Sequence, residues 1–169
     1  NLIPKSIADF LLIFILYVLQ LNLELNNSKI DNNIHIQVIS DGRDSNKYSV
    51  CEYIKQIESL CNVKVSVSSV CGRYYALDSN NDYKRTKLYY DLLLEGRGVE
   101  ANNLQKVIEK CYEKKISDEY MPPIKTKQFA SLNHGDVLVL LNYSKNNQYQ
   151  LLNSLVGENF DMFNTHKTD

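Results

Sequence analysis

Arginine is scarce in this sequence of 169 residues, which contains fifteen lysines but only four arginines, Arg43, Arg73, Arg85 and Arg97. With 19 basic and 20 acidic residues the formal net charge is -1. The chain therefore lacks the concentrated positive surface that counterion release on nucleic acid requires, and we expect no nucleic acid among its partners. Because arginine offers a planar fork of donors that lysine lacks, any bidentate grip on a phosphate or carboxylate must use one of those four positions.

Recognisable metal-binding and nucleotide-binding motifs are also lacking. The cysteines are Cys51, Cys61, Cys71 and Cys111. They show no Cys-x-x-Cys or histidine-paired spacing, so we expect buried free thiols in a reducing compartment rather than zinc ligands. The three histidines include no i, i+4 pair, and no Gly-x-Ser-x-Gly, Walker or Rossmann pattern is present. No metal site is therefore expected on this chain.

The apolar run Phe10–Leu19 is too short to cross a bilayer, because a transmembrane helix needs about twenty residues. Ser6 and Asp9 precede it with the spacing of a helix N-cap. We therefore predict a buried helix over about residues 6 to 20. The alternative is a membrane-associated or secretory segment at residues 10–19, although no small-x-small cleavage site follows it.

Helix and strand patterns alternate along the rest of the chain. A capping box, Ser49-x-x-Glu52, predicts the start of a helix. Predicted strands cover residues 34–39, 62–70 and 137–141, and further predicted helices cover residues 82–95, 102–114 and 146–156. This order predicts an α/β fold, in which one three-layer domain over residues 1–169 has a largely parallel sheet flanked by helices.

Two arginines stand directly after predicted strands, where open α/β sheets bind their ligands. In the first loop an Asp-Gly turn at 41–42 precedes Arg43, a multiple donor, and Asp44, an acceptor. In the second loop Gly72 allows a close backbone approach and Arg73 adds another guanidinium. Two converging arginines would suit a phosphate or a carboxylate. The alternative interpretation is an ordinary turn with both arginines as solvated surface charges.

The same two loops resemble a known family. Residues 39–44 (Ile-Ser-Asp-Gly-Arg-Asp) and 72–78 (Gly-Arg-Tyr-Tyr-Ala-Leu-Asp) are similar, in order, to the Asp-Gly-Arg-Asp and Gly-Arg-Tyr-Tyr-Ala-Met-Asp loops of 2,3-bisphosphoglycerate-independent phosphoglycerate mutases. Residues 118–120 (Asp-Glu-Tyr) resemble the family's Asp-Glu-Phe, and residues 135–143 resemble its Gly-Asp…Asn-Phe strand. The resemblance covers nearly the whole chain, but only one domain of the family enzyme.

In that family an alkaline-phosphatase-like domain carries two manganese ions and a serine nucleophile, and an inserted phosphotransferase domain grips phosphoglycerate. The resemblance implies that this chain is the inserted domain alone, with the phosphatase-like domain as its partner and no catalytic residue or metal of its own. The implied activity is that of a cytoplasmic glycolytic isomerase of glucose catabolism. It would interconvert 3-phosphoglycerate and 2-phosphoglycerate through a phosphoserine on the missing domain.

The resemblance also implies roles for individual residues. Arg43 and Arg73 would hold the phosphate or carboxylate of the substrate, and Asp44 would orient its hydroxyls. Lys5 stands where the family has a substrate-contacting histidine. It could still meet a phosphate as a point charge, but it could not act as a neutral base near pH 7 without a large pKa shift.

Three family arginines are replaced in this sequence, by Ser79, Ser144 and Asn147. Each charge-assisted hydrogen bond contributes on the order of 1.5–3 kcal/mol, so these losses would weaken substrate binding considerably. Two alternatives to a working mutase domain therefore stay open. One is a catalytically inactive fragment or pseudoenzyme that at most binds a phosphorylated small acid, and the other is a membrane-associated protein that uses residues 10–19.

Overall fold

The computed structural model describes residues 33–142 and 145–165. The elements, in chain order, are β1 (Ile34–Ser40), α1 (Val50–Leu60), β2 (Val65–Gly72), α2 (Arg73–Ala76), α3 (Tyr83–Glu95), β3 (Val99–Ala101), α4 (Leu104–Glu113), a 3₁₀ turn (Asp118–Tyr120), β4 (Ile124–Thr126) and α5 (Lys145–Val156). The predicted helix over residues 6–20, the alternative membrane segment and Lys5 lie outside the described residues. Within those residues, no helix is both long and apolar enough to cross a membrane.

The four strands form one mixed sheet in the order β1-β2-β4-β3. β1 and β2 are parallel, from Ile34 opposite Val65 to Ser40 opposite Gly72, and β3 and β4 are also parallel. β4 is antiparallel to β2. The amide of Gly72, at the end of β2, donates to the carbonyl of Met121, so the chain enters β4 near the end of β2 and runs back along it. The predicted α/β domain with a largely parallel sheet is therefore confirmed.

Helices cover both faces of the sheet. Val70 and Cys71 are consecutive residues of β2, so their side chains point to opposite faces, and they belong to separate hydrophobic clusters. The Val70 cluster includes Ile54 of α1 and Ile108 of α4, and the Cys71 cluster contains side chains from α2, α3 and α5. The sheet is thus the middle layer of three.

Three of the helices form close to the ranges predicted for them, and their ends have clear physical causes. α3 ends at Gly96, which adopts the left-handed conformation (φ 64°) that glycine tolerates. α4 begins after Asn103, whose side chain accepts a hydrogen bond of 2.9 Å from the amide of Lys106. The bounds of α3, α4 and α5 differ from the predicted ones by at most two residues.

The predicted strand over residues 137–141 is wrong. In the described part of the chain this segment joins no β-ladder, and Val137 and Val139 are 86% and 62% exposed. An alternating apolar sequence favours a strand, but a strand forms only where a neighbouring backbone completes its hydrogen bonds. The second predicted strand is displaced, since β2 covers Val65–Gly72 rather than residues 62–70.

The predicted capping box at Ser49 is also wrong, because a different residue caps the helix. Ser49 is the N-cap residue of α1, but its side chain makes no capping hydrogen bond to the helix. The carboxylate of Asp118 accepts from the backbone amides of Ser49 and Val50 instead, at 2.8 Å each. A residue almost seventy positions away therefore caps this helix.

Candidate functional site

The two arginine-bearing segments lie side by side at one edge of the sheet. β1 and β2 are parallel neighbours whose last residues, Ser40 and Gly72, are in register, so the chain leaves both strands at the same place. The first strand is followed by the loop of residues 41–48, which we call the Arg43 loop. The second strand leads directly into α2, so Arg73 starts a short helix rather than occupying a loop.

Arg73 is bound to both carboxylates of the Arg43 loop. Its Nη1 atom donates to Asp41 Oδ1 and to Asp44 Oδ2, the latter at 2.6 Å. The side chain of Arg73 is 19% exposed, whereas that of Asp44 is 64% exposed. The structure thus brings Arg73 and Asp44 together. Asp41 was missed as a partner of Arg73, because Asp-Gly suggested only a turn.

The pKa values of the paired groups reflect this contact. Burial disfavours the charged form of Asp41, but hydrogen bonds from Arg73 and Ser45 outweigh it, so the pKa of Asp41 is lowered. Burial likewise opposes the charge of Arg73, but its bonds to Asp44 and Asp41 raise the pKa of Arg73. Two carboxylates against one guanidinium give this cluster a net charge of 1 − 2 = −1.

Arg43 is one of two exposed cations in its loop, the other being Lys47. Arg43 forms no ion pair or hydrogen bond with any residue that the structure describes. Its charge offsets the net charge of the cluster formed by Arg73, Asp41 and Asp44. The bonds to Asp41 and Asp44 both use Nη1 of Arg73, so they do not involve the Nε and Nη2 donors of that guanidinium.

The 3₁₀ turn Asp118–Tyr120 lies directly beneath both segments. Gly42 has φ 64°, and a Cβ atom there would lie 2.6 Å from the backbone nitrogen of Glu119. A Cβ atom at Gly72 would lie 2.6 Å from the backbone nitrogen of Met121. Both glycines are therefore required because the backbone of this turn occupies the space that a side chain would need.

An aromatic surface adjoins Arg73. The ring of Tyr74 lies 4.8 Å from that of Tyr120, and the guanidinium of Arg85 lies 4.0 Å from the Tyr74 ring centroid. Arg85 is already paired with Asp78 at 3.0 Å and Asp82 at 2.9 Å. Arg85 thus contributes to packing rather than offering a free charge, and neither tyrosine was singled out from the sequence.

Two of the three substituted arginine positions are described. Ser79 is exposed in the loop of residues 77–82, and Asn147 lies in α5. Gln150 of α5 accepts from the amide of Asn81 at 2.9 Å and donates to Thr86 Oγ1 at 3.1 Å. The loop and the helix are therefore joined by a neutral hydrogen bond, from the amide of Asn81 to Gln150.

The manganese ions that the family resemblance implies find no place among the described residues. Across residues 33–142 and 145–165 there is no group of three or more His, Cys, Asp or Glu side chains that could hold a metal ion. The four cysteines are free thiols, and Cys71 and Cys111 are buried. Burial raises the pKa of the Cys71 thiol.

Comparison with known proteins places this arrangement in a family. Residues 18–169 match the family model described as BPG-independent PGAM N-terminus, and the chain therefore belongs to that family. The 2,3-bisphosphoglycerate-independent phosphoglycerate mutase of Flavobacterium johnsoniae is 30% identical over 140 residues, which are 79% of this chain and 28% of the relative. The enzyme of the same name from Moorella thermoacetica is 31% identical over 136 residues, 77% of this chain and 26% of the relative.

The fold is also found in a solved structure. A crystal structure of Leishmania mexicana phosphoglycerate mutase at low cobalt concentration matches with a TM-score of 0.71 at 19% identity, over 78% of this chain and 27% of that one. The chain spans little more than a quarter of the length of these proteins.

Proposed function

We propose that this chain is the substrate-binding part of a 2,3-bisphosphoglycerate-independent phosphoglycerate mutase, with residues 1–169 as its phosphotransferase domain. The observation that carries the proposal is the exposed Arg43 beside the cluster of Arg73, Asp41 and Asp44, at the carboxyl edge of two parallel strands in a member of that family. A guanidinium without a partner among the described residues, next to carboxylates that can accept hydroxyl hydrogens, suits a phosphorylated hydroxy acid.

In this proposal the chain binds and orients, and the chemistry takes place elsewhere. Arg43 meets the phosphate or carboxylate of the substrate, and Arg73 turns part of its donor fork toward the anion. Asp44 accepts from the substrate hydroxyl, and Lys5 adds a point charge. A phosphatase-like domain outside this chain, with its manganese ions and serine, exchanges 3-phosphoglycerate and 2-phosphoglycerate through a phosphoserine. Such an enzyme would act in cytoplasmic glycolysis.

The second candidate is binding without turnover, as in a pseudoenzyme. It is favoured by Ser79 and Asn147, neutral residues that stand where the family resemblance expects arginine. The gene sequence on both sides of this segment separates the candidates. Segments with the Asp, His and Ser motifs of the metal-binding domain would support the mutase, and stop codons there would contradict it.

Ligand protection tests the binding claim directly. At 3-phosphoglycerate concentrations tenfold above Kd, a single site stabilises the folded chain by about 1.4 kcal/mol, which raises Tm by roughly 3–6 °C at this size. We expect this rise for the wild type and its loss in Arg43→Ala. Arg97→Ala is the matched control, because Arg97 is 68% exposed and pairs with Glu95 rather than with the Arg43 loop.

Absence of protection at millimolar ligand would contradict the binding claim for both candidates. Membrane association through residues 10–19 stays a prediction of the sequence, and recovery of the full chain without detergent would count against it.

A further inference from the structure

We propose that Asp118 is a positioning residue for the candidate anion site. Its contacts hold the Arg43 loop in the shape that presents Arg43 and Asp44. The proposal rests on the proposed function only for the identity of the ligand. Asp118 is 1% exposed, so its carboxylate does not touch a ligand itself. It acts on the two ends of the Arg43 loop and on the residues that flank them.

The carboxylate of Asp118 fixes the end of the loop. Its Oδ2 atom accepts from the backbone amides of Ser49 and Val50, at 2.8 Å each, and its Oδ1 atom accepts from the hydroxyl of Tyr112. Burial and the hydrogen bond to Asp118 raise the pKa of Tyr112, which keeps that donor protonated. A buried carboxylate with donors on both oxygens is held in one orientation.

The backbone of Asp118 fixes both sides of the loop. Its amide donates to the carbonyl of Lys47 at 2.8 Å, and its carbonyl accepts from Ser40 Oγ at 2.7 Å. At the second residue of the loop, a Cβ atom at Gly42 would come within 2.8 Å of the Asp118 Cβ atom. One residue therefore contacts the chain just before the loop, near its end and just after it.

This arrangement also determines how an anion can bind. The N-terminus of α1 follows the Arg43 loop directly, and free amides at such a position attract phosphate. Here the Asp118 carboxylate already occupies the amides of Ser49 and Val50. A ligand anion therefore does not bind these two amides and depends on cationic side chains, so the position of Arg43 matters.

The test compares Asp118→Asn with Thr86→Val in the full chain. The asparagine keeps the shape of the side chain but replaces charged acceptors by a neutral one, which weakens the bonds to the loop. Thr86→Val is the control. Thr86 is buried and accepts a hydrogen bond from Gln150 of α5, not from the Arg43 loop, so we expect this variant to destabilise the fold without changing the site. Both variants are measured for amide hydrogen exchange and for affinity toward 3-phosphoglycerate.

We expect the amides of residues 42–50 to exchange at least fivefold faster in Asp118→Asn than in Thr86→Val, at conditions of equal global stability. We also expect the affinity for 3-phosphoglycerate to fall at least fivefold in Asp118→Asn only. Equal exchange and equal affinity in the two variants would overturn the proposal. If the wild type binds no 3-phosphoglycerate, the proposed function fails, and the exchange comparison still decides the role of Asp118.

A second variant covers the case in which Asp118→Asn does not fold. Tyr112→Phe removes only the hydroxyl that donates to Asp118 Oδ1. We expect the same faster exchange over residues 42–50, with a smaller factor. Exchange in Tyr112→Phe that matches Thr86→Val would then overturn the proposal.

Discussion

Replacement of Gly42 by alanine tests whether the Arg43 loop really lies against the 3₁₀ turn beneath it. Gly42 has φ 64°, and an added Cβ atom would lie 2.6 Å from Glu119 N and 2.8 Å from Asp118 Cβ. Gly135 offers a matched control, because it also has a positive φ, 87°, but nothing lies within 4 Å of its added Cβ atom. The two substitutions share the backbone strain and differ in the steric conflict.

The expected magnitudes follow from this difference. A left-handed conformation costs a non-glycine residue about 1–2 kcal/mol, and the loss of unfolded-chain freedom returns about 0.4–1 kcal/mol. Gly135→Ala should therefore lose roughly 0–1.5 kcal/mol of stability. Gly42→Ala adds an overpacking cost of about 1–3 kcal/mol, because the conflict is with backbone and Cβ atoms that cannot rotate away.

Urea unfolding of the two variants beside the wild type measures both losses. We expect Gly42→Ala to unfold at a clearly lower midpoint than Gly135→Ala, and to bind 3-phosphoglycerate more weakly as its loop shifts away from the turn. Equal midpoints for the two variants would refute the close approach of the Arg43 loop to residues 118–120.

Two further predictions concern the pH dependence and a helix end. The pKa of Asp41 is lowered in the folded state, so its pair with Arg73 stabilises the fold above the unfolded pKa, and this stabilisation is lost as pH falls through the folded pKa. Asp41→Asn should therefore cost about 1 kcal/mol or less of stability near neutral pH and nothing in acid. A difference that grows toward low pH in acid titrations would contradict this sign. Asn103→Ala removes the capping bond to Lys106 N and should cost about 1 kcal/mol in urea unfolding, whereas an unchanged midpoint would show that α4 does not depend on it.

Much of the fold could be predicted from local patterns. The alternation of residues 34–39 predicts a strand and the pattern of residues 82–95 predicts a helix; both patterns report on their own neighbours in the chain, and both predictions are confirmed. The short strands β3 and β4 have three residues each, too few to show a periodicity. The apolar segment 137–141 has the pattern of a strand but no partner strand in the described part of the chain, and partners cannot be found from one segment alone.

From the sequence we could predict which segments of the candidate site lie close together, but not which of their side chains bond to one another. Parallel strands bring their carboxyl ends together, so the proximity of Arg73 to the Arg43 loop followed from the predicted sheet. The hydrogen bond that the amide of Ser49 donates to the Asp118 carboxylate joins residues 69 positions apart, and no local sequence signal indicates this bond. No local signal indicates that Arg73 pairs with Asp41 either. The two carboxylates beside Arg43 could, however, have suggested that this loop binds a second cation.

Backbone amide chemical shifts under titration test whether a phosphorylated acid binds at the Arg43 loop. We expect 3-phosphoglycerate to shift the amides of residues 42–44 and Arg73, and unphosphorylated glycerate at the same concentration to leave them unchanged. Shifts confined to the open depression of about 500 Å³ lined by Lys84, Lys87 and Met162 would contradict this expectation, as would equal shifts from both ligands.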